Sequence, residues 1–243
     1  MIEVMRRRRG IPYAQKWFAH EASFVDSLRV AAYYQFLGSR PAGLFLRHHF
    51  TTVLIDLQRD PDSILADMHK NVRSEIRRAE GEGLLWEYGV DAAEFADFHA
   101  AFARERGIEG VDLSRLRSFG TALLLTRATT EGRTLAQHAY LVDPAESRAR
   151  FLYSSSGRFE GSNSALVGRA NRWCHWKDML HLREHGIRTY DLGGIAVGAE
   201  AAAVSGINDF KIRFGGTTVR EDHWLSPLFA LAMLAGKHGR PSL

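Results

Sequence analysis

The chain carries one cysteine, Cys174, among 243 residues. That excludes an internal disulfide and a cysteine-based zinc site, and a reducing cytoplasm is the compartment it fits. Long apolar runs are missing as well. The most apolar stretch, residues 225–235, is too short to cross a bilayer and reads either as a packed terminal helix or as a segment lying on a membrane. Arg6 to Arg9 are followed by a mixture of aromatic and charged residues rather than by an apolar core, so a secretory leader is not expected. The eleven histidines show no H-E-x-x-H spacing, His48 and His49 would face opposite sides of a strand, and there is no G-x-S-x-G elbow. Metalloprotease and serine-hydrolase chemistry are therefore set aside. No repeat, linker or low-complexity tract interrupts the chain.

What is present is ordinary for a globular protein: 45% hydrophobic and 25% charged residues, which excludes disorder and coiled coil. One compact α/β unit is expected, with residues 1–50 as an N-terminal segment with opening strands and 51–243 as the main domain. The net charge is +4, but the basic residues are uneven. Arg6 to Arg9 form one run, read as a solvated charged surface or as a lure for phosphate. Lys70, Arg73, Arg77 and Arg78 form a second cluster, suited to a phosphate-bearing partner or to a solvated helix face.

Residues 17–28 suggest a short helix or an irregular docking segment, and residues 30–37 and 44–57 an opening hairpin. Asp60, Pro61 and Ser63 start a helix over 62–80, in which Leu65, Met68, Val72, Ile76 and Ala79 form the buried stripe. Lys70, Arg73 and Arg77 share a face turned away from it. A strand over 84–90 follows, then a helix over 91–106 packing through Phe95, Phe98 and Phe102, and a third helix over 113–128. Strands over 133–142 and 150–156 make a hairpin across Asp143-Pro144-Ala145-Glu146. A long helix over 164–185 carries Leu166, Ala170, Trp173 and Leu180 in one stripe; Lys177 falls inside it and either snorkels out or points into a site. A strand over 189–192 leads to paired glycines and a loop over 196–205, before a strand over 217–224 and a helix over 227–237. Cys174 reads as a packing residue.

Two stretches carry the chemistry. Residues 190–216 read YDLGGIAVGAEAAAVSGINDFKIRFGG, and residues 69–83 read HKNVRSEIRRAEGEG. Together and in this order they resemble the signature of FemABX-like proteins of the GNAT (N-acetyltransferase-like) superfamily, over roughly residues 51–219. The resemblance implies a GNAT-like α/β fold, a mixed and mainly antiparallel central sheet flanked by helices. It also implies transfer of an aminoacyl group from aminoacyl-tRNA to an amine, and a Phe-Lys pair, Phe210 and Lys211, that holds the aminoacyl end of the tRNA. Peptidoglycan-bridge enzymes of the family are longer, which favours a small acceptor here: an amino acid, a peptide or a pathway intermediate.

Acyl transfer needs a held carbonyl, a donor aimed at its developing oxyanion and a neutral attacking amine. Lys211 suits the oxyanion or a donor phosphate, and Phe210 can wall the site or stack on a base. Asp209 and Asp191 are the candidate proton acceptors, with Asp191 open to a turn-capping role instead. Lys70, Arg73, Arg77, Arg78, Tyr190, Gly193, Gly194, Asn208 and Arg158 are the expected substrate-binding positions. Residues 158–163 match two of the three fixed positions of the pyrophosphate loop of CoA-using GNAT enzymes, which keeps an acyl-CoA-dependent N-acyltransferase as the alternative. A catalytically silent RNA-binding module is a third reading. No metal or redox cofactor, no DNA and no transmembrane segment is expected.

Overall fold

The computed structural model describes residues 1–8, 10–157, 164–198 and 205–234. Its chain divides into two units, Val53–Thr218, and Met1–Thr52 together with Val219–Leu243. The sheet strands in both are mixed in direction and mainly antiparallel.

In the larger unit the second half of β4 (Leu46–Asp56) is followed in space by β9 (Thr189–Gly194), β8 (Arg148–Ser156), β7 (Arg133–Asp143), β6 (Leu123–Thr130) and β5 (Leu85–Tyr88). From β5 to β8 every pairing is antiparallel, and β8 and β9 run parallel. The long crossover between those parallel strands holds α5 (Ser164–Glu184). One core joins α5, α2 (Lys70–Glu80) and one face of the sheet through Val72, Ile76, Ala136, Tyr140, Ala170, Cys174 and Leu192. A smaller core on the other face gathers Phe95 and Ala96 of α3 (Ala92–Arg106), Leu116 of α4 (Leu113–Arg117), Leu125 and Ala139. Each large apolar side chain buried this completely contributes roughly 1.5–3 kcal/mol.

Several local expectations are corrected. The helix over 62–80 is two helices, α1 (Pro61–Asp67) and α2. Met68 is extended and His69 caps α2, because the His69 N–H donates to Arg213 O at 2.9 Å instead of continuing the helix. Residues 113–128 hold the short α4 and a 3-10 turn, Gly120–Ala122, before entering β6, where pairing on both sides overrides the helical pattern. The buried side of α3 is Phe95, Ala96, His99 and Ala103, with Phe98 and Phe102 half-buried. The glycine-rich stretch ends in a helix, α6 (Ser205–Ile212), before β10 (Thr217–Leu225) begins.

In the smaller unit β1 (Ile2–Arg8) and β2 (Ile11–Trp17) form an antiparallel hairpin, so Arg6 to Arg8 lie in a strand. β3 (Ala31–Phe36) runs parallel to β2 and antiparallel to β10, so the expected hairpin of residues 30–57 does not form. Strand-to-strand pairing with the later β10 occupies the edge that a hairpin would use. Tyr33, Phe36 and Trp224 pack together, and the Lys16 ammonium reaches Asp26 at 2.7 Å. A 3-10 turn, Phe24–Leu28, and α7 (Pro227–Leu234) belong to this unit as well.

Candidate active site

β8 and β9 pair only from Arg148↔Thr189 to Arg150↔Asp191, although both strands continue, β8 to Ser156 and β9 to Gly194. Past that point the parallel ladder opens. Gly193 stands at the opening with φ +76°, and a Cβ there would sit 3.1 Å from Phe151 O and 3.6 Å from Lys211 Nζ. Only glycine suits that backbone and that approach.

Lys211 projects from α6 to this point, its ammonium donating to Gly194 O at 2.7 Å. Burial lowers its pKa to about 8, and the Arg150 guanidinium adds to the shift while Asp191 opposes it. At neutral pH Lys211 is thus a poorly hydrated cation, able to donate to a developing oxyanion. Asn208, one turn earlier, clamps the loop after β9: it accepts from Ala196 N at 3.1 Å and donates to Ala196 O at 2.7 Å. Phe210 lies 5.5 Å from the Arg172 guanidinium and packs on His175 and Phe214.

Asp191 is fully buried, with Oδ2 accepting from Arg148 at 2.6 Å and Oδ1 from Gly193 N at 2.8 Å. Both oxygens hold the end of β9 in place. Asp209 is exposed, 4.0 Å from Arg213. Tyr190, Gly193, Gly194, Asn208, Phe210, Lys211 and Asp191 come together. In the α2 cluster the Arg73 guanidinium donates to Ala66 O at 2.9 Å and to Met68 O, fastening the α1–α2 break. Arg78 lies 3.6 Å from Glu82, and Lys70 and Arg77 are exposed. Lys177 is half-buried with its ammonium 5.9 Å from the Trp173 ring, the snorkelling alternative. Arg158 and the loop over 158–163 lie outside the described residues.

Behind Phe210, toward α5, lies a hydrogen-bond chain that the sequence did not announce. Asp178 accepts from Trp86 Nε1 at 2.8 Å and from Tyr140 O–H at 2.5 Å, and meets His138 Nδ1 at 2.7 Å. Tyr140 is 2.7 Å from the Tyr190 hydroxyl, which is 2.6 Å from His175 Nδ1. Burial pushes both tyrosines well up, so they keep their protons, and holds His175 well down, with His138, Lys211 and Arg172 adding to it. The directions then follow from proton counting. Tyr140 gives its proton to Asp178, Tyr190 gives its own to Tyr140, and His175 must donate from Nδ1. Its Nε2 is left a buried acceptor without a partner. His138, His175 and Asp178 also bring metal-ligand atoms within 4.8 Å of one another, but these hydrogen bonds already occupy most of the atoms a cation would need. Burial and Asp178 push the Cys174 thiol well up, so it is a packing group.

No protein-family model and no curated protein matches the sequence. Solved structures do match in fold. FemX aligns over 76% of this chain at TM-score 0.61 and 16% identity, and the chain spans 63% of FemX, less than two thirds of its length. The C-terminal domain assigned to a lysylphosphatidylglycerol synthetase of Agrobacterium fabrum aligns over 99% of this chain and 87% of that one, at TM-score 0.61 and 13% identity. L-PGS from Bacillus licheniformis aligns over 98% and 86%, at TM-score 0.59 and 10% identity. The chain has a FemABX-like GNAT-type fold.

Proposed function

We propose, with this GNAT-type fold as the premise, that the chain is an acyltransferase that moves an aminoacyl group from aminoacyl-tRNA to the amine of a small acceptor. The observation that carries the reading is Lys211, a dehydrated cation beside the opening between β8 and β9. The motif resemblance at Phe210 and Lys211 and the shared fold with FemX support it.

In this reading the ester carbonyl of the donor lies against Lys211, whose ammonium stabilises the oxyanion as the amine attacks. Phe210, backed by Arg172 and the His175 ring, forms an aromatic wall for the terminal base or the aminoacyl group. Arg148 and Asp191 keep the end of β9 in position through the Gly193 amide. The attacking amine must arrive neutral. With both Asp191 oxygens engaged, the exposed Asp209 or a water takes its proton.

Lys211→Ala should lower turnover by about 10²–10³-fold, the cost typical of losing one oxyanion donor, with thermal unfolding little changed. The decisive experiment offers a mixture of charged tRNAs and, separately, acyl-CoAs, with a pooled amine extract as acceptor. Consumption of one aminoacyl-tRNA that is amine-dependent and RNase-sensitive is the expected result. Thiol release would move the donor to CoA, and silence with both would leave an RNA-binding module without turnover.

A further inference from the structure

The helix α7 has eight residues and no charged side chain. Phe229 turns inward, edge-on to Tyr13 at 5.7 Å, and is buried. Leu228, Leu231 and Leu234 recur at three-residue spacing on a side that is 46%, 60% and 55% exposed. Leucines so placed are unfavourable in water unless a second apolar phase covers them. They are not isolated. Leu228 lines a cleft of about 420 Å³ together with Met5 and Ile11 of the β1–β2 hairpin, and both of those side chains are exposed. The Phe24–Leu28 turn packs against α7 and exposes Phe24, Val25 and Leu28 in turn. Three elements of one unit therefore gather exposed apolar side chains around one cleft.

The charge around that cleft is biased. Arg29 lines it and is exposed. Arg7, also exposed, pairs in register with Pro12 of the lining and shares a strand face with Met5. The lining acids are Glu3 and Asp26, both held by Lys16, at 3.7 and 2.7 Å. Lys16 offsets one of their two charges, so Arg7 and Arg29 leave the rim with a net positive balance. In the sequence, Lys237 and Arg240 follow α7 within a few residues.

We propose that this face docks on an anionic lipid surface, with α7 lying flat at the boundary of headgroups and acyl chains and the arginines facing lipid phosphates. Leucines, methionine and isoleucine bordered by arginines complement such an interface in both respects. RNA would answer the arginines and leave the leucines in water. The inference stands apart from acyl transfer, because its readout involves no turnover.

The test is co-sedimentation of the full chain with vesicles of phosphatidylcholine alone and of phosphatidylcholine mixed equally with phosphatidylglycerol, at low and high salt. Binding is expected only to the anionic vesicles and should weaken as salt rises. Leu231→Asp with Leu234→Asp should reduce it by roughly tenfold or more. Arg7→Glu with Arg29→Glu should reduce it at low salt, and circular dichroism should be unchanged in both variants. No binding to anionic vesicles at low salt overturns the proposal, as does full binding by the leucine variant. A dimer in vesicle-free solution that the leucine variant dissolves would also overturn it, and assign the face to a second copy of the chain.

Discussion

The two faces of β7, β8 and β9 are built from alternate residues of the same strands, and they treat buried polar groups in opposite ways. Toward α5, His138, Tyr140 and Tyr190 join Asp178 and His175 in one chain, and apart from His175 Nε2 the atoms along it are hydrogen-bonded. On the other side of the strands Arg148 holds Asp191, Lys211 feels the charges of Arg150 and Asp191, and Gln137 and Ser155 stand opposite each other, fully buried. There the Gln137 amide nitrogen and oxygen and Ser155 Oγ have no hydrogen-bond partner. A satisfied network fixes a fold; dehydrated cations and unmet donors raise the energy of a fold and gain their return from a ligand or from ordered water. On this comparison the α5-face chain holds the structure, and the proposed chemistry rests on the buried charge at Lys211.

The comparison is broken most directly at Asp178. Asp178→Ala removes the acceptor on which Trp86, Tyr140 and His138 converge and should destabilise the fold by about 3–5 kcal/mol, measured by urea unfolding. A loss below about 1 kcal/mol would mean the α5 face is not the structural one. On the other face the sign reverses. Gln137→Leu with Ser155→Ala removes three unmet polar atoms and should stabilise by about 1–3 kcal/mol; destabilisation would show that ordered water already satisfies them.

Lys211→Met gives the smallest of these effects and the sharpest dependence on pH. The folded pKa of about 8 lies below the ordinary 10.5, so the folded chain holds this proton less tightly than the unfolded one. The cost is fully present below pH 8 and disappears as pH rises toward 10.5. That shift corresponds to about 3 kcal/mol, from which the lost bond to Gly194 O takes about 1. At neutral pH Lys211→Met should therefore be more stable by about 1–2 kcal/mol, with the gain shrinking above pH 8. A gain independent of pH would place its cause in packing instead of charge.

Much of this was legible from residues alone. Capping at Asp60, the apolar stripe of Val72, Ile76 and Ala79, the turn at Asp143 and Pro144 and the long helix up to Gly186 follow from local chemistry, and their side chains sit where periodicity puts them. The paired glycines marked the opening between β8 and β9. The α5-face chain was illegible because its members come from β5, β7, α5 and β9 and meet only when those elements pack. Asp178 meets Trp86 from far upstream. β6 was missed for a related reason: Leu123–Thr130 is a strand because β5 and β7 flank it. Arg73, one of three cations on a helix face, turned inward because α1 and α2 break at Met68 and leave carbonyls that need a donor.

By itself the sequence determined the helices around Asp91–Arg106 and Ser164–Glu184, most of the strands, the motifs at residues 69–83 and 190–216, and the candidate pair Phe210 and Lys211. These depend on propensities and spacings that act within a few residues. Tertiary structure alone decided that Lys211 would be dehydrated beside Arg150, that both oxygens of Asp191 would be engaged, and that Tyr190 and Asp191, neighbours in the chain, would face opposite chemistries. Charge and hydrogen bonding depend on which distant groups share a buried volume, and that is settled only when the strands pair.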